Sequence, residues 1–275
     1  MLLKIFAALS AVSAFAAGIG CRGFAWLWVV PLAFAGSFLA CLVLAFLFLF
    51  AAAALIRDDE EQKGDDPFYR RMIELYCEAV CTILGMKVDV QGQDKIPDNG
   101  RFLLVCNHLS LLDVVVMVWK FRNRQLTFIS KQENMEMFIV GKLMGKIQCL
   151  PLNRENDREA LKTILKAIAI VKEDKASMGL FPEGTRSLDG KLHSFRSGGF
   201  KIAQKANVPI VVCTLKGTSD LFINMKKLKR THVRLHLVDV IPAEEVKGAN
   251  TVELGERIYE MMLRDLGPEY ELETT

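Results

Sequence analysis

The sequence predicts an α/β domain, a largely parallel central sheet with flanking helices, preceded by a hydrophobic helical hairpin. Three observations carry this. The first 56 of the 275 residues hold only two charged side chains, Lys4 and Arg22. From residue 68 onward, short β-type runs alternate with helical patterns, and such alternation builds parallel sheets with crossover helices. The chain is 51% hydrophobic with a mean hydropathy of +0.24, and the excess sits in the first 56 residues. The rest balances its charges closely, which argues against a duplex-DNA binder with its strongly basic footprint.

The first region divides into two charge-free runs, 5–21 and 23–56. A membrane-crossing helix needs about 20 apolar residues, so the second run suffices and the first is borderline. Arg22-Gly23 reads as a turn, and Trp26 and Trp28 stand where an interfacial aromatic belt would be. A spanning hairpin, a single span and a non-spanning buried pair all fit. Lys4, the apolar run and Ala14-Phe15-Ala16 also supply the parts of a signal peptide, but a second apolar run follows at once. Arg57, Lys63, Arg70 and Arg71 flank the C-terminal side against Arg22 on the other. The expectation is therefore a domain on the cytoplasmic face; the small size fits a bacterial inner membrane, with an internal eukaryotic membrane as the alternative. The seven cysteines lack compact paired spacing, which suits a reducing compartment. The expected organisation is an anchor over 1–56, a charged linker with Gly and Pro over 57–67, and a folded domain over 68–275.

Tyr69, Met72, Ile73, Tyr76, Val80, Ile83 and Leu84 recur at helical spacing. Cys77 and Cys81 lie on that helix without a second pair to complete a metal site. Strands are then expected at 102–106, 126–129, 148–152, 178–181, 208–214 and 231–241. Helices are expected at 110–120, 134–144, 157–173, 198–206 and 251–265. In the 157–173 helix, Leu161, Ile164, Leu165 and Ile168 are read as one face. His232 and His236 alternate with Val233, Leu235 and Leu237, so they fall on the polar face of a strand rather than grip a metal.

Chemistry gathers at strand ends, where open α/β sheets carry their sites. After 102–106 comes Asn107-His108-Leu109-Ser110-Leu111-Leu112-Asp113. With Ser110 as N-cap, Asp113 falls at the third helical position and points back at the entering chain. It can then hold one nitrogen of His108 and leave the other as a general base. A helix cap beside a satisfied histidine explains the same residues. After 178–181 comes Phe181-Pro182-Glu183-Gly184-Thr185-Arg186, in which Arg186 has the planar fork that suits a phosphate. A Pro-Gly turn with a surface Arg explains it too. Lys131 and Arg154 close two further strands. If the four strands are neighbours, one base and three cations share an edge, a pocket for an anionic, phosphate-bearing substrate with a hydroxyl to deprotonate. There is no Gly-rich phosphate loop and no G-x-S-x-G elbow.

These residues resemble the membrane glycerophospholipid acyltransferases, specifically the 1-acyl-sn-glycerol-3-phosphate (lysophosphatidic acid) acyltransferase family. Its hallmarks, N-H-x4-D and F-P-E-G-T-R, stand intact at 107–113 and 181–186. The stretch 187–200, Val208-Pro209-Ile210-Val211 and Lys216-Gly217-Thr218 are also similar to the family, and the resemblance covers roughly 68–245. Departures occur at Asn153, where the family often has Asp, in 132–145, which lacks a usual Pro, and at Val212. The resemblance implies a glycerolipid-acyltransferase-like fold. It implies acyl transfer to the second hydroxyl of lysophosphatidic acid, giving phosphatidic acid, with acyl-CoA or acyl-carrier protein as cosubstrate. No other cofactor, no metal and no nucleic acid is implied. His108 would be the base and Asp113 its orienter. Arg154 and Arg186, with Lys131, would hold the phosphate. Glu183 would orient Arg186 or bind a glycerol hydroxyl, the backbone around Gly184 would help with the acceptor or the oxyanion, and Thr185 would line the acceptor site. Another lysophospholipid or a lyso-aminolipid acceptor is an alternative. A thioesterase or lipase using Ser110 or Cys106, or a non-catalytic lipid-binding scaffold, is a reading from outside the class. The membrane bilayer is the expected partner, and Lys226-Lys227-Leu228-Lys229-Arg230 either touches anionic headgroups or is a solvated loop.

Overall fold

In the computed structural model, which describes residues 1–57, 64–153 and 156–272, seven strands share one sheet. They are β1 (Met86–Gln91), β2 (Leu103–Cys106), β3 (Leu126–Lys131), β4 (Leu150–Leu152), β5 (Ser177–Leu180), β6 (Ile210–Lys216) and β7 (Thr231–Ile241), in the spatial order β1-β7-β6-β2-β5-β3-β4. All neighbours run parallel except β6 and β7. The helices are α1 (Leu2–Ile19), α2 (Trp26–Ala54), α3 (Pro67–Ile83), α4 (Leu112–Lys120), α5 (Gln132–Met135), α6 (Phe138–Lys146), α7 (Asp157–Lys172), α8 (Lys201–Ala206), α9 (Leu221–Lys226), α10 (Ala243–Gly248) and α11 (Thr251–Leu266).

The two sheet faces are visible in β2. Leu104 and Cys106 join the core under α3 and α4, whereas Leu103 and Val105 join the core under α7, α8 and α11. This is the period-two alternation of a strand buried on both sides. Phe102, Leu103, Leu104 and Phe128 are among the fully buried side chains, each worth about 1.5–3 kcal/mol on burial.

The hairpin is α1 against α2, with Gly18 close to Val30. Both helices are long and apolar enough to cross a membrane by length and composition. At 1.5 Å per residue α2 is about 43 Å long. Its C-terminal end is fixed to the domain. Tyr76 and Tyr69 donate to the carbonyls of Ala45 (2.6 Å) and Ala52 (3.1 Å), and Phe50 meets Phe138 of α6 at 5.4 Å. Of the linker, residues 58–63 lie outside the described residues. Asp66 then caps α3 by accepting from the backbone of Phe68 and Tyr69, with Pro67 at the first helical position.

Several expectations need correction. Arg70 is not a free flanking cation. It is buried, paired with Asp65 at 3.0 Å, and donates to the carbonyls of Leu126 and Ile147. In the 157–173 helix, Leu161 and Leu165 are exposed; the buried face is Thr163, Ala167 and Val171, with Ile164 and Ile168 partly covered. The expected 134–144 helix is two, α5 and α6, and they cross so closely that a Cβ on Gly141 would fall 1.9 Å from the Met135 carbonyl oxygen. The 198–206 helix opens with a 3-10 turn, Ser197–Phe200. The 148–152 strand begins only at Leu150, after Gln148 turns the chain with a φ of 63°. β1, α9 and α10 were not expected. Each has only six residues, and β1 is a sheet edge that alternates Met86, Val88 and Val90 with Lys87, Asp89 and Gln91.

Candidate active site

The strands whose ends carry His108, Arg186 and Lys131 are β2, β5 and β3, consecutive and parallel, with β4 next in line. Their carboxyl ends form one edge. Arg154, expected there after β4, lies outside the described residues.

His108 is held from every side. Its Nδ1 lies 2.8 Å from Asp113 Oδ2. Its ring stacks on Phe181, with centroids 4.1 Å apart and an interplanar angle of 19°. Its backbone N–H donates to Glu183 Oε1 at 2.7 Å, and its carbonyl accepts from the Ser187 N–H at 2.8 Å. The second motif thus clamps the backbone of the first. Adjacency of β2 and β5 makes that possible, because the loops leaving two parallel neighbours emerge side by side.

Asp113 is 0% exposed. Its Oδ2 also accepts from the N–H groups of Leu109 (2.7 Å) and Ser110 (2.8 Å), and its Oδ1 accepts from the Thr218 hydroxyl (2.5 Å). Four donors fix one carboxylate. The expected helix cap is displaced by one residue: Leu111 is the N-cap, and the Ser110 hydroxyl accepts from Leu112 N–H at 3.3 Å. Asp113 is therefore at the second helical position, and it still points back at the entering chain. Behind this loop the Asn107 side chain pairs with the backbone of Leu215, donating to its carbonyl at 2.9 Å and accepting from its N–H at 2.8 Å. This ties the His108 loop to β6.

A cavity of about 500 Å³ opens beside the ring. Its lining combines polar side chains, among them His108, Lys131, Asp157, Thr185, Arg186 and Arg196, with apolar ones, among them Val114, Phe128, Met144, Ile164 and Leu180. Lys131 pairs with Glu133 at 2.5 Å, both more than half exposed. Such a pair adds little to stability and leaves the ammonium at the cavity.

One expected ligand, Glu183, is placed otherwise, while Gly184 lines the cavity. Glu183 is buried, and both of its oxygens are taken by backbone N–H groups, of His108 and of His193 (3.1 Å). It tethers the loops instead of facing a glycerol hydroxyl or Arg186. Burial pushes its pKa up to about 7, against the pull of those two N–H groups. The Gly184 N–H closes a turn onto the Phe181 carbonyl at 3.0 Å. The residue has a φ of 77°, and a Cβ there would fall 3.0 Å from Arg196 Nε. Its contribution is shape: a left-handed turn with Arg196 laid across it.

Residues 87–216 match the family described as Acyltransferase. That stretch, just under half of the chain, is similar to the family. The chain is 32% identical over 155 residues to a probable 1-acyl-sn-glycerol-3-phosphate acyltransferase of Mycoplasma pneumoniae, covering 55% of this chain and 57% of that protein. It is 27% identical over 172 residues to the 1-acyl-sn-glycerol-3-phosphate acyltransferase of Borreliella burgdorferi, covering 61% and 68%. To a chloroplastic enzyme of that name from Brassica napus it is 35% identical over 136 residues, covering 49% and 39%. The chain thus spans between about two fifths and two thirds of the length of these relatives. In fold it is similar to the crystal structure of the 1-acyl-sn-glycerophosphate acyltransferase PlsC from Thermotoga maritima, with a TM-score of 0.62, 24% identity and 96% of each chain covered.

In the domain after the hairpin, sequence reasoning missed Thr218 and Arg196 as working residues. Both stand in stretches that resemble the family, Lys216-Gly217-Thr218 and 187–200. No local pattern says that a threonine 105 residues downstream reaches Asp113; only the pairing of β6 with β2 brings it there.

Proposed function

We propose that this chain transfers an acyl group from acyl-CoA or acyl-carrier protein to the sn-2 hydroxyl of 1-acyl-glycerol-3-phosphate, making phosphatidic acid in phospholipid biosynthesis. One observation carries the reading: His108, locked through Nδ1 by Asp113 and stacked on Phe181, lines a cavity that also holds Lys131, Arg186 and Arg196 among apolar side chains. Nε2 takes the proton of the acceptor hydroxyl. The oxygen attacks the thioester carbonyl, and the tetrahedral intermediate expels the thiolate, which recovers the proton from His108. Asp113 offsets the imidazolium charge as it forms, and the Phe181 face favours it further. Arg186 holds the acceptor phosphate with a bidentate fork, aided by Lys131, with Arg196 close by. Arg154 is proposed for the same role on the family resemblance. The cavity's apolar side chains take the acyl chains, and the relatives' names favour the lysophosphatidate acceptor.

Direct transfer fits better than an acyl-enzyme. Cys106 is buried in the sheet, and burial pushes its thiol far up. Ser110 uses its hydroxyl on the helix start. The anchor also has a reason. Acceptor and product are bilayer lipids, and a domain held at a leaflet, on the cytoplasmic side by the charge pattern, meets them in two dimensions while drawing the thioester from water.

A labelled acyl donor offered to lysophosphatidate, lysophosphatidylcholine and monoacylglycerol tests the acceptor. Preferred acylation of lysophosphatidate is the expected result. Equal turnover of monoacylglycerol, which has no phosphate, would overturn it. Running each acceptor with acyl-CoA and with acyl-carrier protein assigns the donor.

A further inference from the structure

α9 packs only one of its apolar side chains fully inward. Leu221 lies in the core cluster shared with α3 and α4. Phe222 is 70% exposed, and Ile223 and Met225 are exposed beside it. The chain then turns through Leu228, which is 97% exposed with a φ of 52°. Helices usually place Gly or Asn at such a left-handed terminus, because a side chain there is strained. The turn is nevertheless closed: Lys229 N–H donates to the Asn224 carbonyl at 2.9 Å and Leu228 N–H to the Met225 carbonyl at 3.0 Å. It holds a large apolar side chain outward where no internal packing rewards it. Lys226, Lys227, Lys229 and Arg230 surround it, all exposed, and Asp220 is the only acid of the segment.

The position matters as much as the chemistry. The α9 core residue shares a sheet face with α3, and the hairpin docks on α3 and α6. Thr218, three residues before α9, touches Asp113. The segment therefore lies on the hairpin's side of the sheet and follows directly on the residue that braces Asp113.

We propose that residues 221–230 form a second lipid contact, in which Phe222, Ile223 and Leu228 enter the headgroup boundary of an anionic leaflet and the four cations bind its phosphates. Apolar tips ringed by Lys and Arg are the composition of an interfacial element. An acidic protein surface would be recognised by the cations without needing the apolar tips. This inference concerns binding and stands whichever acceptor the site acylates.

The test uses the full chain reconstituted in vesicles, carrying Leu228→Trp and read against the parent chain. In phosphatidylcholine–phosphatidylglycerol vesicles the added tryptophan should emit to the blue of its position in water and be quenched by shallowly brominated lipid. In pure phosphatidylcholine both effects should weaken, and adding Lys226→Gln, Lys227→Gln, Lys229→Gln and Arg230→Gln should weaken them likewise. Water-like emission and no added quenching in anionic vesicles would overturn the proposal. So would emission that shifts only when an acidic carrier protein is added, which would assign the patch to a protein partner. Hydrogen exchange of 221–230 in the parent chain gives the same answer without substitution: slower exchange in anionic vesicles than in neutral detergent supports the contact, and equal exchange contradicts it.

Discussion

Three histidine–aspartate pairs stand among the described residues; His193–Asp189 is an exposed contact within one loop, and the other two invite comparison. His108 Nδ1 lies 2.8 Å from Asp113 and His236 Nδ1 lies 2.7 Å from Asp265. Each aspartate also accepts a threonine hydroxyl, from Thr218 and from Thr214. Distance does not separate the pairs; surroundings do. Asp265 carries Arg234 at 2.6 Å. Burial works against its charge, but Thr214, His236 and Arg234 outweigh that and hold the carboxyl below the usual range. The group joins the middle of β7 to the last turn of α11. Asp113 is fully buried, its other donors are backbone N–H groups, and the histidine it holds lies beyond a strand's carboxyl end beside a cavity. A His–Asp contact becomes a proton-transfer device only where the second ring nitrogen has a substrate to meet. Elsewhere it is a tie between elements.

The largest expected contrast comes from removing the rings. His108→Ala should lower kcat by about 10²–10⁴ or more, the range for general-base loss. His236→Ala should leave turnover within about twofold and cost about 1 kcal/mol of stability, one hydrogen bond's worth. Thiol release from the donor and a thermal melt on each variant check both halves. Equal turnover losses would erase the distinction.

Asparagine at the two acids should separate them next. Asp113→Asn turns an amide group toward donors and lets the ring rotate, so kcat should fall by about 10²–10⁴, as for an orienting carboxylate. Asp265→Asn should act on stability alone. Smaller again is Thr218→Val, which removes one bond to Asp113 and should lower kcat roughly three- to tenfold. It should also displace the pH profile of kcat, and Thr218→Ser should restore both. Thr214→Val should do neither.

The smallest effect concerns Glu183. Its folded-state pKa is raised from 4.5 to about 7. Between those values the folded chain keeps a proton that the unfolded chain has released, so this group makes stability fall as pH rises through the window. Melts from pH 5 to pH 8 should show that slope in the parent and a flatter one in Glu183→Gln. An unchanged slope would mean that another group carries it.

Much of this was legible in the residues. The β7 strand runs from Thr231 to Ile241 as its alternation predicts, and the neighbouring order β2-β5-β3-β4 puts the strand ends of both motifs on one edge. Contacts made by long-range pairing were not legible. Glu183 read as a ligand because a carboxylate in a turn is normally solvated, and nothing local says that two backbone N–H groups from separate loops converge on it. Arg70 read as a flanking cation because its carbonyl partners, Leu126 and Ile147, are far away in sequence. Leu161 and Leu165 misled in the opposite direction: helical spacing marks a face, but Thr163, Ala167 and Val171 show that the small side was turned to the sheet.

The central claim is that the acyl group passes directly from thioester to hydroxyl under His108. A single-turnover experiment with labelled acyl donor tests it most directly, run with and without lysophosphatidate in the parent chain and in His108→Ala. The account predicts label only in the lipid product, no protein-bound label when the acceptor is omitted, and no product from the variant on the parent's timescale. Labelled protein trapped at Ser110 or Cys106, or undiminished product from His108→Ala, would contradict it.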